Sequence, residues 1–183
     1  MIVEQSKKIH LVRLLSEELC EQVTQDHLLS AHWRTGELYR AGDVSQEDMR
    51  RCSVIFENNA PTCLIAGFNG LRKALKPLRK KNGKDVLKIS TLQLVRYEVG
   101  ESFGEHRDAV PRSADWRRHS IVCYMNDDFV GGETYFPTLD LDVPPRKGHG
   151  LIFPSHYLHG SRSVMSGSKY VMVGFMVDLD AEE

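Results

Sequence analysis

Three consecutive residues near the middle of the chain, His106-Arg107-Asp108, have the types and spacing to grip a metal ion. Side chains alternate across an extended strand, so His106 and Asp108 point to one face and Arg107 to the other. An imidazole and a carboxylate two residues apart can take part of one face of an ion. The remaining ligand must come from elsewhere, and His149, His156 and His159 compete for that place. Two histidines and one carboxylate on one face of an octahedron leave three positions open, an arrangement suited to non-haem Fe(II) and O2 chemistry. A bare HxD more often marks a surface histidine beside an aspartate, so its surroundings decide its meaning.

Those surroundings are ordered. Tyr97 precedes His106 by nine residues. Gly131-Gly132-Glu133-Thr134 follows the apolar stretch Ile121-Val122-Cys123-Tyr124-Met125. Lys169 stands ten residues after His159 and opens the run Lys169-Tyr170-Val171-Met172-Val173-Gly174-Phe175. A lysine facing inward from such a strand needs a partner, because an unpaired buried charge is costly.

The elements that must position these groups read as strands. From Val86 the period becomes two, with Leu92, Leu94 and Arg96 alternating with Gln93, Val95 and Tyr97. Short runs at about 119–125, 133–136, 141–143, 150–153, 161–165 and 169–178 follow, broken by Gly and Pro. Short strands with frequent turns predict an all-β sandwich or barrel. With helices expected only in the first half, the fold class is mainly β with N-terminal helices (α+β). That is a jelly roll backed by helices. The expected division is one domain over 1–183, with a helical lead-in over about 1–85 and a catalytic core over about 86–178.

In the lead-in, Ser16 before Glu17 and Glu18 is a helix start, and Leu19, Val23 and His27 at helical spacing predict a helix from about Glu17 to Ala31. His27 and His32 read as surface histidines. Arg34 to Asp48 reads as loop, with Tyr39 and Arg40 available to cover a site and Ser45-x-x-Asp48 capping one short turn. Pro61 suits the first turn of a second helix, whose apolar stripe is Leu64, Phe68, Leu71, Leu75 and Leu78. Pro77 ends or kinks it. Its polar side is basic: Arg72, Lys73, Lys76, Arg79, Lys80, Lys81 and Lys84. That reads as a solvated face, or more sharply as a docking patch for an acidic partner. Asn82-Gly83 is a turn signal.

Composition narrows the function. The chain has 183 residues, enough for one well-buried core. A formal net charge of −1 gives no global attraction to nucleic acid or anionic membrane, so neither is expected as a partner. Charges run through the apolar residues of the first segment, so neither a signal peptide nor a membrane span is expected there. Cys20, Cys52, Cys63 and Cys123 are widely spaced with no CxxC, and read as free thiols in a reducing, cytoplasmic setting rather than a zinc site.

Taken in order, Tyr97, the HxD, the GGxT, His159 and Lys169 resemble the prolyl 4-hydroxylase branch of the Fe(II)/2-oxoglutarate-dependent dioxygenases. The resemblance runs most clearly from about Leu92 to Asp178, with a weaker lead-in at Trp33 and Arg50-Arg51-Cys52-Ser53. It implies a double-stranded β-helix, cupin-like core. It selects His159 as third ligand, since His159 alone has a lysine at the family spacing, giving His106, Asp108 and His159 as metal ligands and catalytic centre. It implies Fe(II), O2 and the co-substrate 2-oxoglutarate, with ascorbate stimulatory. Lys169 then faces the distal carboxylate of 2-oxoglutarate, Tyr124 shares that carboxylate, and Tyr97 lies near the metal end. Asp108 fills the position that related halogenases leave small, which implies hydroxylation. Arg117, Arg118 and Trp116 fall where relatives place substrate contacts. The substrate implied is a prolyl residue in a peptide or protein, or a free amino acid or small metabolite. The separate peptide-binding domain of the larger collagen-type enzymes is not expected within these 183 residues. The competing readings are a nucleic-acid demethylase on the same fold and a non-catalytic cupin-like binding module.

Overall fold

The computed structural model describes residues 8–25, 29–36, 50–110 and 114–180. In chain order the elements are β1 (His10–Arg13), α1 (Glu17–Val23), β2 (Arg34–Thr35), β3 (Ser53–Phe56), α2 (Thr62–Leu75), β4 (Lys80–Lys81) and β5 (Lys84–Asp85). Then come β6 (Leu87–Ile89), β7 (Gln93–Tyr97), β8 (Phe103–His106), β9 (Arg117–Tyr124), β10 (Val130–Gly131) and β11 (Thr134–Phe136). The last are β12 (Leu141–Val143), β13 (His149–Pro154), β14 (His159–Ser161), β15 (Val164–Ser166) and β16 (Lys169–Asp178).

Two sheets face each other as a jelly roll. The larger runs β1-β13-β9-β16-β7-β3-β2, with β6 also paired to β16. The smaller runs β12-β11-β14-β8. The period of two in the sequence becomes two distinct faces. On β9 and β16, Tyr124 and Val171 belong to the apolar cluster between the sheets. Their neighbours Cys123 and Met172 belong to the cluster on the opposite face, beneath the helices.

The helices cover that outer face. In α1 the Ser16 hydroxyl accepts from the Leu19 N–H at 3.3 Å, satisfying a donor the helix cannot. In α2, Leu64, Phe68, Leu71 and Leu75 are buried against the sheet, each contributing about 1.5–3 kcal/mol by area. A Cβ on Gly67 would lie 2.5 Å from Met172 Cε, so this helix approaches the sheet closely.

Four local expectations are corrected. The first half is not purely helical: β1 and β3 pair in register with β13 and β7, and Arg34–Thr35 pairs with β3 instead of looping. Helix α1 is assigned only to Val23, where the Thr24 hydroxyl donates back to the Cys20 carbonyl at 2.9 Å. Leu78 leaves the apolar stripe and is 50% exposed, because the chain tightens into a 3-10 turn over Lys76–Arg79 at Pro77. His27, Tyr39, Arg40 and the Ser45–Asp48 turn lie outside the described residues.

Candidate metal centre and co-substrate pocket

Strands β8 and β14 are antiparallel neighbours in the smaller sheet, and His159 is the register partner of His106. One strand pair thus delivers both imidazoles to one place, with ring centroids 4.3 Å apart. Asp108 follows β8 and completes the group. Its Oδ1 lies 3.4 Å from His106 Nε2 and its Oδ2 lies 3.4 Å from His159 Nε2. One ligand atom from each residue falls within 4.8 Å of the others, and this is the one such His/Cys/Asp/Glu group among the described residues. His149 and His156 are not part of it.

The backbone sets the tautomers. His106 Nδ1 sits 2.8 Å from the Gly104 carbonyl and His159 Nδ1 sits 3.0 Å from the Tyr157 carbonyl. Each Nδ1 N–H is therefore spent on a backbone carbonyl, and Nε2 is the nitrogen each ring turns toward Asp108. Burial pushes the His159 pKa down, with Asp108 opposing, which favours the neutral imidazole a metal requires. Burial opposes ionisation of Asp108, but His159, His106 and the Ser120 hydroxyl outweigh it and hold the carboxyl below the usual carboxylate range.

The carboxylate is aimed by groups the sequence reading did not single out. Ser120 Oγ donates to Asp108 Oδ2 at 2.5 Å and lies 3.0 Å from Ser155 Oγ. The N–H groups of Asp108 and Ala109 both donate to the Ser155 carbonyl, at 3.0 and 2.9 Å. Ser120 shares strand parity with Tyr124, so its inward orientation was available from the alternation. Ser155 carried no such signal. Phe103 stacks on His106 at 3.6 Å, and Phe153 meets His159 edge-on at 4.6 Å, closing apolar walls around the imidazoles.

Among the described residues Lys169 is the one buried lysine. It opens β16 opposite Tyr97 of β7, and it is 1% exposed. Its Nζ donates to the Gly132 carbonyl at 2.6 Å and to Ser161 Oγ at 2.7 Å, and lies 4.9 Å from the Tyr97 ring centroid and 5.9 Å from that of Tyr124. Ser161 is two residues from His159 on β14. Among the described residues no carboxylate comes within ion-pair distance of Lys169, and burial pushes its pKa down to about 7, with Glu133 working against this. The GGxT stretch has a physical reason here. Gly131 and Gly132 take φ of 78° and 67°, which turns the Gly132 carbonyl onto the ammonium. Thr134 Oγ1 accepts from the Tyr124 hydroxyl at 2.8 Å. Burial raises the pKa of both Tyr97 and Tyr124, so both stay neutral hydrogen-bond donors.

The predicted substrate-side residues lie at the rim. Arg117, Arg118, Asp115, Ala109, Val110 and His156 line an open cleft of about 250 Å³ beside Asp108. Arg117 Nη1 donates to the Asp108 carbonyl at 3.3 Å, and its guanidinium lies over the Phe175 ring at 4.1 Å and the Trp116 ring at 5.0 Å. Arg118 is exposed and donates through Nε to Asp178 at 2.8 Å. Arg107 reaches the His156 carbonyl.

A ferrous ion fits this donor set: two imidazoles with their Nε2 atoms gathered on one ionised carboxylate. Lys169 has neutral acceptors where a buried ammonium calls for an anion, the charge that a dicarboxylate carries.

Comparison with known proteins agrees. Residues 92–177 match the family described as the 2OG-Fe(II) oxygenase superfamily. The chain is 34% identical over 154 residues to a PKHD-type hydroxylase of Synechococcus sp. (strain CC9605), covering 79% of this chain and 66% of that one. It is 32% identical over 123 residues to "Probable prolyl 4-hydroxylase 9" of Arabidopsis thaliana, covering 51% of this chain and 42% of that one. It thus spans less than two thirds of either relative's own length. Among solved structures, a prolyl hydroxylase from Trichoplax adhaerens in complex with a hypoxia inducible factor peptide fragment superposes with a TM-score of 0.74 at 14% identity, over 97% of this chain and 89% of that one. The viral collagen prolyl hydroxylase from Paramecium Bursaria Chlorella virus-1, as its 2OG complex, gives 0.67 at 20% identity, over 95% and 98%.

Proposed function

We propose that the chain belongs to the 2OG-Fe(II) oxygenase superfamily that residues 92–177 match, and that it hydroxylates an unactivated aliphatic C–H bond, on a prolyl residue or on a free amino acid or small metabolite. A bound ferrous ion, with O2 and 2-oxoglutarate, supplies the oxidising power, and 2-oxoglutarate leaves as succinate and CO2.

The chain's own residues do the rest. His106, Asp108 and His159 hold the ion, and Ser120 keeps the Asp108 carboxylate turned toward it. Lys169 binds the distal carboxylate of 2-oxoglutarate, with the Tyr124 hydroxyl turning from Thr134 Oγ1 to serve as a second donor and Tyr97 against the chain of the co-substrate. Phe103 and Phe153 exclude water from the imidazoles. Because Asp108 occupies the carboxylate position, hydroxylation is the outcome rather than halogenation. Arg117 and Arg118 face the prime substrate from the cleft, with Trp116 supporting Arg117.

The observation that carries the reading is Lys169: a fully buried ammonium, without a carboxylate partner among the described residues, on the sheet that faces the triad. Free thiols at all four cysteines support a reducing, cytoplasmic setting. Among the described residues no helix is long and apolar enough to cross a membrane. The test is succinate release from 2-oxoglutarate with Fe(II), ascorbate and a panel of prolyl peptides and amino acids. Succinate formation that depends on Fe(II) and rises with one of these substrates supports the reading; none with any of them counts against it.

A further inference from the structure

One surface carries charge out of proportion to the rest. Residues 72–88 hold eight lysines and arginines and a single acid, in a chain of formal net charge −1. Arg72 is tied to Glu57 at 2.6 Å and Arg79 to Asp85 at 3.5 Å. Lys73, Lys76, Lys80, Lys81 and Lys84 are exposed, and among the described residues none of them is tied to a carboxylate.

The patch is built rather than loose. Asn82 and Gly83 take φ of 51° and 77°, the geometry of a two-residue hairpin between β4 and β5. The Val86 N–H donates to the Arg79 carbonyl at 2.9 Å, closing the base of the hairpin. Leu78 and Val86, 50% and 42% exposed, stand among the lysines.

The patch also adjoins the cleft. Strand β6 leaves the hairpin, and its Leu87 is the register partner of Asp178 at the end of β16. Asp178 holds Arg118, which lines the cleft with Arg117 and His156. Lys84 precedes Leu87 by three residues, roughly 10 Å of extended chain. A polypeptide lying in the cleft and continuing across β6 reaches the lysines.

We propose that this hairpin is an exosite for an acidic polypeptide segment, so that the prime substrate is a peptide or protein whose hydroxylated residue lies near a run of aspartates or glutamates. The inference rests on the hydroxylase reading above and specifies its substrate class. The clustered ammonium groups attract and steer such a segment, and Leu78 and Val86 receive its aliphatic side chains. Nucleic acid fits less well. Residues 72–88 contain no aromatic side chain and so no platform for base stacking, and the free cations are lysines without the forked geometry that grips phosphate.

The test is fluorescence anisotropy on the full chain with a labelled proline-containing peptide flanked by glutamates and the same peptide flanked by glutamines. At low salt the glutamate peptide should bind at least about ten-fold tighter. The gap should shrink toward physiological salt, where exposed charges are screened over about 8 Å. Lys76→Gln, Lys80→Gln, Lys81→Gln and Lys84→Gln together should abolish the gap. All four side chains are exposed, and an unchanged circular dichroism spectrum shows the fold is intact. Equal binding of the two peptides by the unmodified chain, or a gap that survives the four substitutions, overturns the exosite. A labelled oligonucleotide of equal charge that binds more tightly than the glutamate peptide overturns the choice of partner. Anisotropy needs no turnover, so these results judge the exosite alone. Absence of succinate with every substrate judges the hydroxylase reading alone.

Discussion

The interior of the jelly roll and its rim hold polar residues in opposite ways. Inside, His106, Asp108, His159 and Lys169 are largely out of water, and each is fixed by backbone carbonyls or buried hydroxyls. At the rim, Arg118 and Asp178 pair in solvent, and Arg117 leans on Phe175 and Trp116. Interactions in the low-dielectric interior are strong and directional, while exposed pairs are typically worth about 0–1 kcal/mol. The interior groups are therefore rigidly held, and on the proposed reading the choice of substrate rests on rim groups that can exchange partners at little cost.

Substitutions inside should break function outright. His106→Ala, Asp108→Ala and His159→Ala should each abolish turnover and weaken Fe(II) binding at least about a hundred-fold, since each removes one of three ligands. Fe(II) affinity by competition with a chelator checks this. Full activity in His159→Ala, with loss in His149→Ala or His156→Ala, would mean the third ligand is misassigned.

Substitutions at the rim should split two activities that the interior keeps together. Arg118→Ala should raise KM for the prime substrate about ten-fold while uncoupled 2-oxoglutarate decarboxylation stays near its original rate. Arg117→Ala should affect both, because Arg117 also holds the Asp108 carbonyl. Equal losses of both activities in Arg118→Ala would place it with the interior.

Another effect concerns pH. The Lys169 pKa falls from 10.5 to about 7 on burial, so between those values the unfolded chain binds the extra proton. Stability without co-substrate should therefore rise with pH from about 7 toward 10.5, and below 7 the full penalty of the buried charge applies. Lys169→Met should lack this rise. The check is the difference in Tm between the two proteins measured from pH 7 to 9, which should widen in favour of Lys169→Met toward pH 7.

Much of the interior was legible because strand period and ligand spacing are local. The HxD spacing marked the ligand pair, although Asp108 lies in the bend just past β8 and is held there by Ser155, and Lys169 could be placed at the head of an apolar strand. What was not legible depends on distant partners. Strand β1 is four residues long and takes its identity from β13, nearly 140 residues later. The Arg118–Asp178 pair spans 60 residues. The departure of Leu78 from its stripe follows from the turn geometry at Pro77, which the helical period alone does not encode.

The central claim is that Lys169 awaits a carboxylate from outside the chain. The most direct measurement is an anaerobic titration of 2-oxoglutarate with Fe(II) present, following the metal-to-ligand absorption band. A desolvated charge-assisted bond contributes about 1.5–3 kcal/mol, so Lys169→Ala should weaken 2-oxoglutarate binding roughly ten- to a hundred-fold or more. Lys169→Arg should keep part of the affinity, Tyr124→Phe should lose less, and Fe(II) affinity without 2-oxoglutarate should barely change in any of them. Unchanged 2-oxoglutarate affinity in Lys169→Ala would contradict the co-substrate pocket and remove the main support for a dioxygenase.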